Sequence, residues 1–184
     1  EWSWNHGQVE MGTFALDAKA YLHNNLPKAA PVTASNIGHV HLSVGSIEQA
    51  KDFYVNALGF DVTLNWGGTA LFVSAGGYHH HMAMNIWRSR GAGMRQPTLG
   101  LRDVSILLPD ADSLGAAAER LATAKVQVRD DGQTIRLDDP WGNQVSLTAV
   151  QQDVAKLHEF AKAKNYPALK AAANVLGFLT DAMG

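Results

Sequence analysis

Between residues 38 and 150 one order of elements, a strand, a helix and three further strands, is written twice. A chain with such a repeat folds as two like halves. The expectation is therefore an α+β protein of two tandem βαβββ units, residues 37–87 and 98–150. The first unit opens on a strand at 38–44. Ser46 and Gln49 have the spacing of a capping box, and Ile47, Ala50, Phe53, Tyr54, Ala57 and Leu58 recur at helical spacing. Gly59 stops that helix, and strands at 61–66, 69–74 and 79–87 follow, divided by the turns Gly67-Gly68 and Gly76-Gly77. Across a polar, Gly- and Arg-rich link at 88–97 the order recurs. It gives a strand at 101–108, a helix at 112–124 capped by Asp112 or Ser113, and strands at 126–129, 134–137 and 144–150. Pro140 and Gly142 mark the turn DDPWGN that precedes the last strand.

Five of the eight histidines fall in two of these strands, within GHVHLSV at 38–44 and GGYHHHMAMN at 76–85. Residues two apart in a strand share a face. His39, His41 and Ser43 thus oppose Val40, Leu42 and Val44. By the same alternation His79, His81, Ala83 and Asn85 face a polar cleft, and His80 goes with Met82, Met84 and Ile86. Two strands that each present paired imidazoles opposite an apolar face read as the walls of a metal site. Neutral imidazole suits iron, zinc, copper and nickel. In LRDVSILL, residues 101–108, the apolar positions face the core and leave Asp103 and Ser105 on the cleft side. Each of these residues also has a plainer reading: a strand histidine as a packed residue, Asp103 as a solvated carboxylate. Tyr78 and Trp141 suit a pocket mouth or ordinary packing, and Asp138 and Asp139 serve their turn. The Gly-Gly pairs lead into no helix and are not phosphate loops.

Composition narrows the chemistry. With no cysteine, any metal must be held by histidine, carboxylate or water. A net charge of -2 without a run of Lys or Arg points away from nucleic acid and anionic membranes. No apolar run is long enough to span a bilayer and no signal-peptide pattern is present, so the expected location is cytoplasmic. The opening EWSWNHG, without Met, reads as a trimmed or processed chain. Residues 1–36 look like a connector, with a strand at 8–14 and a helix at 16–26 ended by Pro27 and Pro31. Residues 151–184 read as a helical tail. Its apolar stripe, Leu169, Ala172, Val175, Leu176 and Leu179, calls for a surface on the same domain or on a second copy.

Two such units in tandem, with FYVNALGF at 53–60 and DDPWGNQVSL at 138–147, resemble the vicinal oxygen chelate superfamily of glyoxalases, fosfomycin and bleomycin resistance proteins and extradiol dioxygenases. GHVHLSV, ALFVSAGGYHHH and the DPWGN turn are most similar to the second domain of its two-domain, catechol-2,3-dioxygenase-like branch. The resemblance implies a half-open sheet cupped around one divalent metal, Fe(II) first, with Mn(II) or Zn(II) as alternatives. It implies an aromatic diol as substrate, cleaved with O2. It also implies a partner, either a first domain missing from this chain or a second copy.

Carried over position by position, the resemblance puts metal ligands at His39, within His79 to His81, and at Asp103. Dioxygenases usually have His at the position of Asp103 and Glu at that of Ser146, so the ligand set departs from theirs. Alternation favours His79 and His81 as ligands. The resemblance instead sets His80 at the acid-base histidine, a role that His41 also suits, and a bulge after Gly76-Gly77 would reconcile the two. A resistance-type binding module without metal and a metal-dependent lyase or isomerase are the competing expectations.

Overall fold

The computed structural model describes residues 3–12, 15–26 and 38–150. The two expected units are present. In the first, β3 (Val40–Ser43) leads through α2 (Ile47–Lys51) to β4 (Asp61–Trp66), β5 (Ala70–Ser74) and β6 (Met82–Asn85). In the second, β7 (Asp103–Leu108) leads through α3 (Ala111–Thr123) to β8 (Val128–Asp130), β9 (Thr134–Asp138) and β10 (Gln144–Ala149). Each unit makes a four-stranded sheet of the same order, β3-β6-β5-β4 and β7-β10-β9-β8. In both, the first and last strands of the unit pair in parallel and the other pairs are antiparallel.

Ser46 caps α2 by accepting from Gln49 N at 3.3 Å, as the spacing predicts. The helix then widens into a π-helical stretch, Asp52–Ala57, in which Leu58 N donates to Phe53 O at 2.9 Å. α3 is capped by Asp110, whose Oδ1 accepts from Ser113 N at 2.8 Å, and not by Asp112 or Ser113. Asp110 has the extended backbone of a cap, while Asp112 already lies in the first turn of the helix.

Both units contribute to one core. Leu42, Val44, Met82 and Met84 of the first sheet join Phe53 and Tyr54, and the same cluster takes in Leu114, Leu121, Leu137 and Val145 of the second unit. Burial of such side chains is the main stabilising term here, roughly 1.5–3 kcal/mol for each large one. The opposite face of the first sheet carries a smaller cluster, Ala70, Phe72 and Ala83, with Met11 and Leu64 against it. Met11 follows a hairpin of β1 (Ser3–Asn5) and β2 (Gln8–Glu10), which turns at His6-Gly7 with both residues at positive φ. α1 (Ala18–Asn25), capped by Asp17, buries none of its residues.

The link between the units is tied down. Gly91 N donates to Gly45 O at 2.8 Å, Ser89 Oγ to Val44 O at 2.8 Å, and Trp141 Nε1 to Ala92 O at 3.0 Å. Gly45 permits this close approach. A Cβ built there would overlap the Ala92 carbonyl and meet Trp141 Nε1 at 2.7 Å. The helices expected within residues 151–184 lie outside the described residues.

Candidate metal centre

β6 begins at Met82, so His79, His80 and His81 lie in the approach to the strand and alternation does not fix them. His81 is tied into the ladder. Its N donates to Val73 O at 2.9 Å, and its carbonyl accepts from Val40 N at 3.0 Å. The turn before it swings His80 toward the opening of β3. His39, His41 and His80 there offer ring nitrogens that all lie within 4.8 Å of one another. Their ring centroids are 4.4 Å apart for His39 and His80, 5.0 Å for His39 and His41, and 5.7 Å for His41 and His80. Phe72, from β5, backs the group edge-on, 5.0 Å from His80 and 6.0 Å from His41. His80 is buried, while His39 and His41 are open to solvent.

The remaining expected ligands stand outside this trio. His79 is buried beside it, its ring 4.4 Å from His80 and 6.2 Å from His39, and packs on Tyr78 at 4.1 Å. His81 points to the neighbouring strand, where its Nδ1 lies 2.9 Å from Ser74 Oγ. Asp103 opens β7 in the other unit. Its Oδ1 accepts from Ser146 Oγ at 2.6 Å and its Oδ2 from Ser105 Oγ at 2.7 Å. The two residues at which the second unit would supply ligands thus bond each other.

Burial and mutual repulsion keep these imidazoles neutral. His80 is pushed down to about 4, by desolvation first and then by His39, His79 and His41. His81 is pushed down to about 3 by desolvation, then by His79 and His80. His41 and His79 are lowered by desolvation and by His39. An unfolded imidazole titrates near 6.5, so between that value and the folded ones the unfolded chain binds more protons. The contribution is fully present above pH 6.5 and is lost as pH falls toward 4 and 3. We expect the urea midpoint of the metal-free chain to fall as pH is lowered from about 7 to about 5, with a shallower fall in His81→Gln. An identical slope in the variant would contradict the assignment.

Beside the trio a cavity of about 460 Å³ opens between the first unit and the link. His41 and Ser43 form one wall, Met94 and Arg95 another, and Trp141 and Asn143 of the second unit close it. His41 belongs to both trio and cavity, so a ligand in the cavity reaches the imidazole group from the His41 side. Trp141 is buried at this wall, whereas Tyr78 lies against His79 and His81. Two participants carry no sequence signal. Phe72 reads as one more apolar strand residue, and nothing in the link separates Arg95 from Arg88 or Arg90.

The repeated βαβββ units agree with what comparison with known proteins shows. Residues 36–147 match the family model of the Glyoxalase/Bleomycin resistance protein/Dioxygenase superfamily, and the chain belongs to that superfamily. A catechol-2,3-dioxygenase of Bacillus subtilis (strain 168) is 37% identical over 138 residues, which is 73% of this chain and 48% of the relative. The chain therefore spans about half the length of the curated relative it matches. Among solved structures, a glyoxylase/bleomycin resistance protein/dioxygenase domain from Frankia sp. EAN1pec has the same fold. It aligns with a TM-score of 0.53 at 16% identity, covering 65% of this chain and all (100%) of that one. A putative dioxygenase from Bacillus subtilis subsp. subtilis str. 168 aligns with a TM-score of 0.49 at 23% identity, covering 63% of this chain and 41% of that one.

Proposed function

We propose that this chain carries the metal site of an extradiol-type dioxygenase acting on an aromatic diol, with His39, His41 and His80 as the metal-holding residues. The observation that carries the reading is the trio itself: three ring nitrogens gathered within 4.8 Å beside a ligand-sized cavity. The 37% identity to a catechol-2,3-dioxygenase supports the choice of reaction within the superfamily. The donor set of three imidazoles fits a divalent first-row metal, and the lowered pKa values of His41 and His80 keep those two rings in the neutral form that ligates. When bound, Fe(II) supplies a Lewis-acidic and redox-active centre for two adjacent substrate oxygens.

The chain's own residues do the rest. His41 borders the cavity and orients a diol placed there, while Trp141 and Met94 wall the ring off from water. The depressed pKa of His80 makes it a better lone-pair donor than proton carrier, so it is assigned to the metal and not to acid-base work. His79, Asp103 and His81 are assigned supporting positions. The exposed α1 supports a further element of the proposal, that a second domain or copy packs on this one for full activity.

The test is anaerobic loading with Fe(II), Mn(II) or Zn(II), followed by oxygen uptake with catechol. Stoichiometric Fe(II) and catechol-dependent oxygen consumption are expected. Metal binding without oxygen uptake would favour a lyase or isomerase of the same fold. The Ser146-Asp103 bond, which occupies the carboxylate of the second unit, favours a second reading, a binding module that needs no metal. Catechol binding in the presence of chelator would speak for it.

A further inference from the structure

Arg95 stands in the wall of the cavity, and among the described residues no carboxylate pairs with it. Its Nη1 donates to Asn143 Oδ1 at 2.7 Å and its Nη2 to Leu101 O at 3.3 Å, while its backbone N donates to Trp141 O at 3.0 Å. Two of the five guanidinium donors are thereby spent on holding the side chain, and three remain. Among the described residues no Asp or Glu lines the cavity, and the ion pairs are Arg129 with Asp138 and Arg136 with Asp131. The cavity lining thus combines a cation held by neutral partners with an imidazole of the metal trio. Apolar Met94 and Trp141 line the same cavity.

A planar fork of donors held in this way matches a carboxylate, and it loses little side-chain freedom on binding one. A neutral diol would leave the guanidinium desolvated without a counter-charge. Resting on the reading above, we propose that Arg95 is a specificity-determining residue that selects aromatic diols whose ring bears a carboxylate. The diol end faces His41 and the carboxylate end faces Arg95.

Calorimetry with protocatechuate and its neutral amide tests this on the metal-loaded 184-residue chain. The parent should favour the acid by about tenfold, and the preference should shrink as salt is raised. In Arg95→Gln the ratio of the two dissociation constants should approach one, and in Arg95→Lys part of the preference should return. If Arg95→Gln does not fold, the parent ratio decides. Equal affinity for acid and amide in the parent, or a preference that survives Arg95→Gln, overturns the inference. Oxygen uptake plays no part in this readout. A chain that prefers the acid yet consumes no oxygen would sink the proposed ring cleavage and leave the carboxylate site standing.

Discussion

Replacing Asp139 with Ala is expected to destabilise the chain by about 3–5 kcal/mol, a large share of what holds a domain of this size together. Asp139 is buried and accepts four hydrogen bonds. Trp141 N and Asn143 N donate to its Oδ1 at 2.9 and 2.8 Å, while Asn143 Nδ2 and Tyr54 Oη donate to its Oδ2 at 2.8 and 2.9 Å. Three of these close the turn, and the fourth crosses to the first unit. Tyr54 is itself fully buried, and its hydroxyl pKa is raised by burial and by Asp139. Removing the acceptor strands all four donors away from water, which is the costly direction of hydrogen-bond loss. Asp138, one residue earlier, pairs with Arg129 at the surface, where both side chains are about half exposed. Its Ala variant should change stability by no more than about 0.5 kcal/mol. Urea denaturation of the two variants makes the comparison. Similar midpoints for both would show that Asp139 does not join the units.

His80→Ala is the second large effect. If the trio holds the metal, losing one imidazole should weaken metal affinity by about 100-fold or more, since even groups that merely support a ligand are worth 10–100-fold. His39→Ala and His41→Ala should behave alike. His81→Ala should change affinity by less than about threefold, because its ring is engaged with Ser74. Competition with a colorimetric chelator measures all four. Equal losses at His80 and His81 would mean that the ligand set is wider than the trio. A loss confined to His81 would return the site to the alternation expected from sequence.

The element pattern is legible because each unit alternates two periodicities and marks its ends chemically. Ser46 as a cap and Asp61–Trp66 as a strand are found where spacing places them. The hairpin at the start is not legible in full. Its strands are three residues each and only Val9 is buried, so no alternation builds up. The proposed trio is legible in part. His39 and His41 follow from the strand they border. Alternation sends His80 to the helix side because it runs on through residues 79–81, which precede the regular strand that begins at Met82. The cross-link from Tyr54 to Asp139 spans 85 positions, and the seating of the link on Gly45 joins segments just as unrelated in sequence. Contacts of that kind come from how the two units dock, and no local pattern encodes them.

X-ray absorption at the metal edge bears most directly on the central claim, because imidazole rings give a scattering pattern that can be counted. The chain loaded with one equivalent of Fe(II) should show one bound metal with three imidazole ligands, supplied by His39, His41 and His80. The count should drop by one in each of the corresponding Ala variants. A chain that takes up no metal, or one whose imidazole count is unchanged in His80→Ala, would contradict the account.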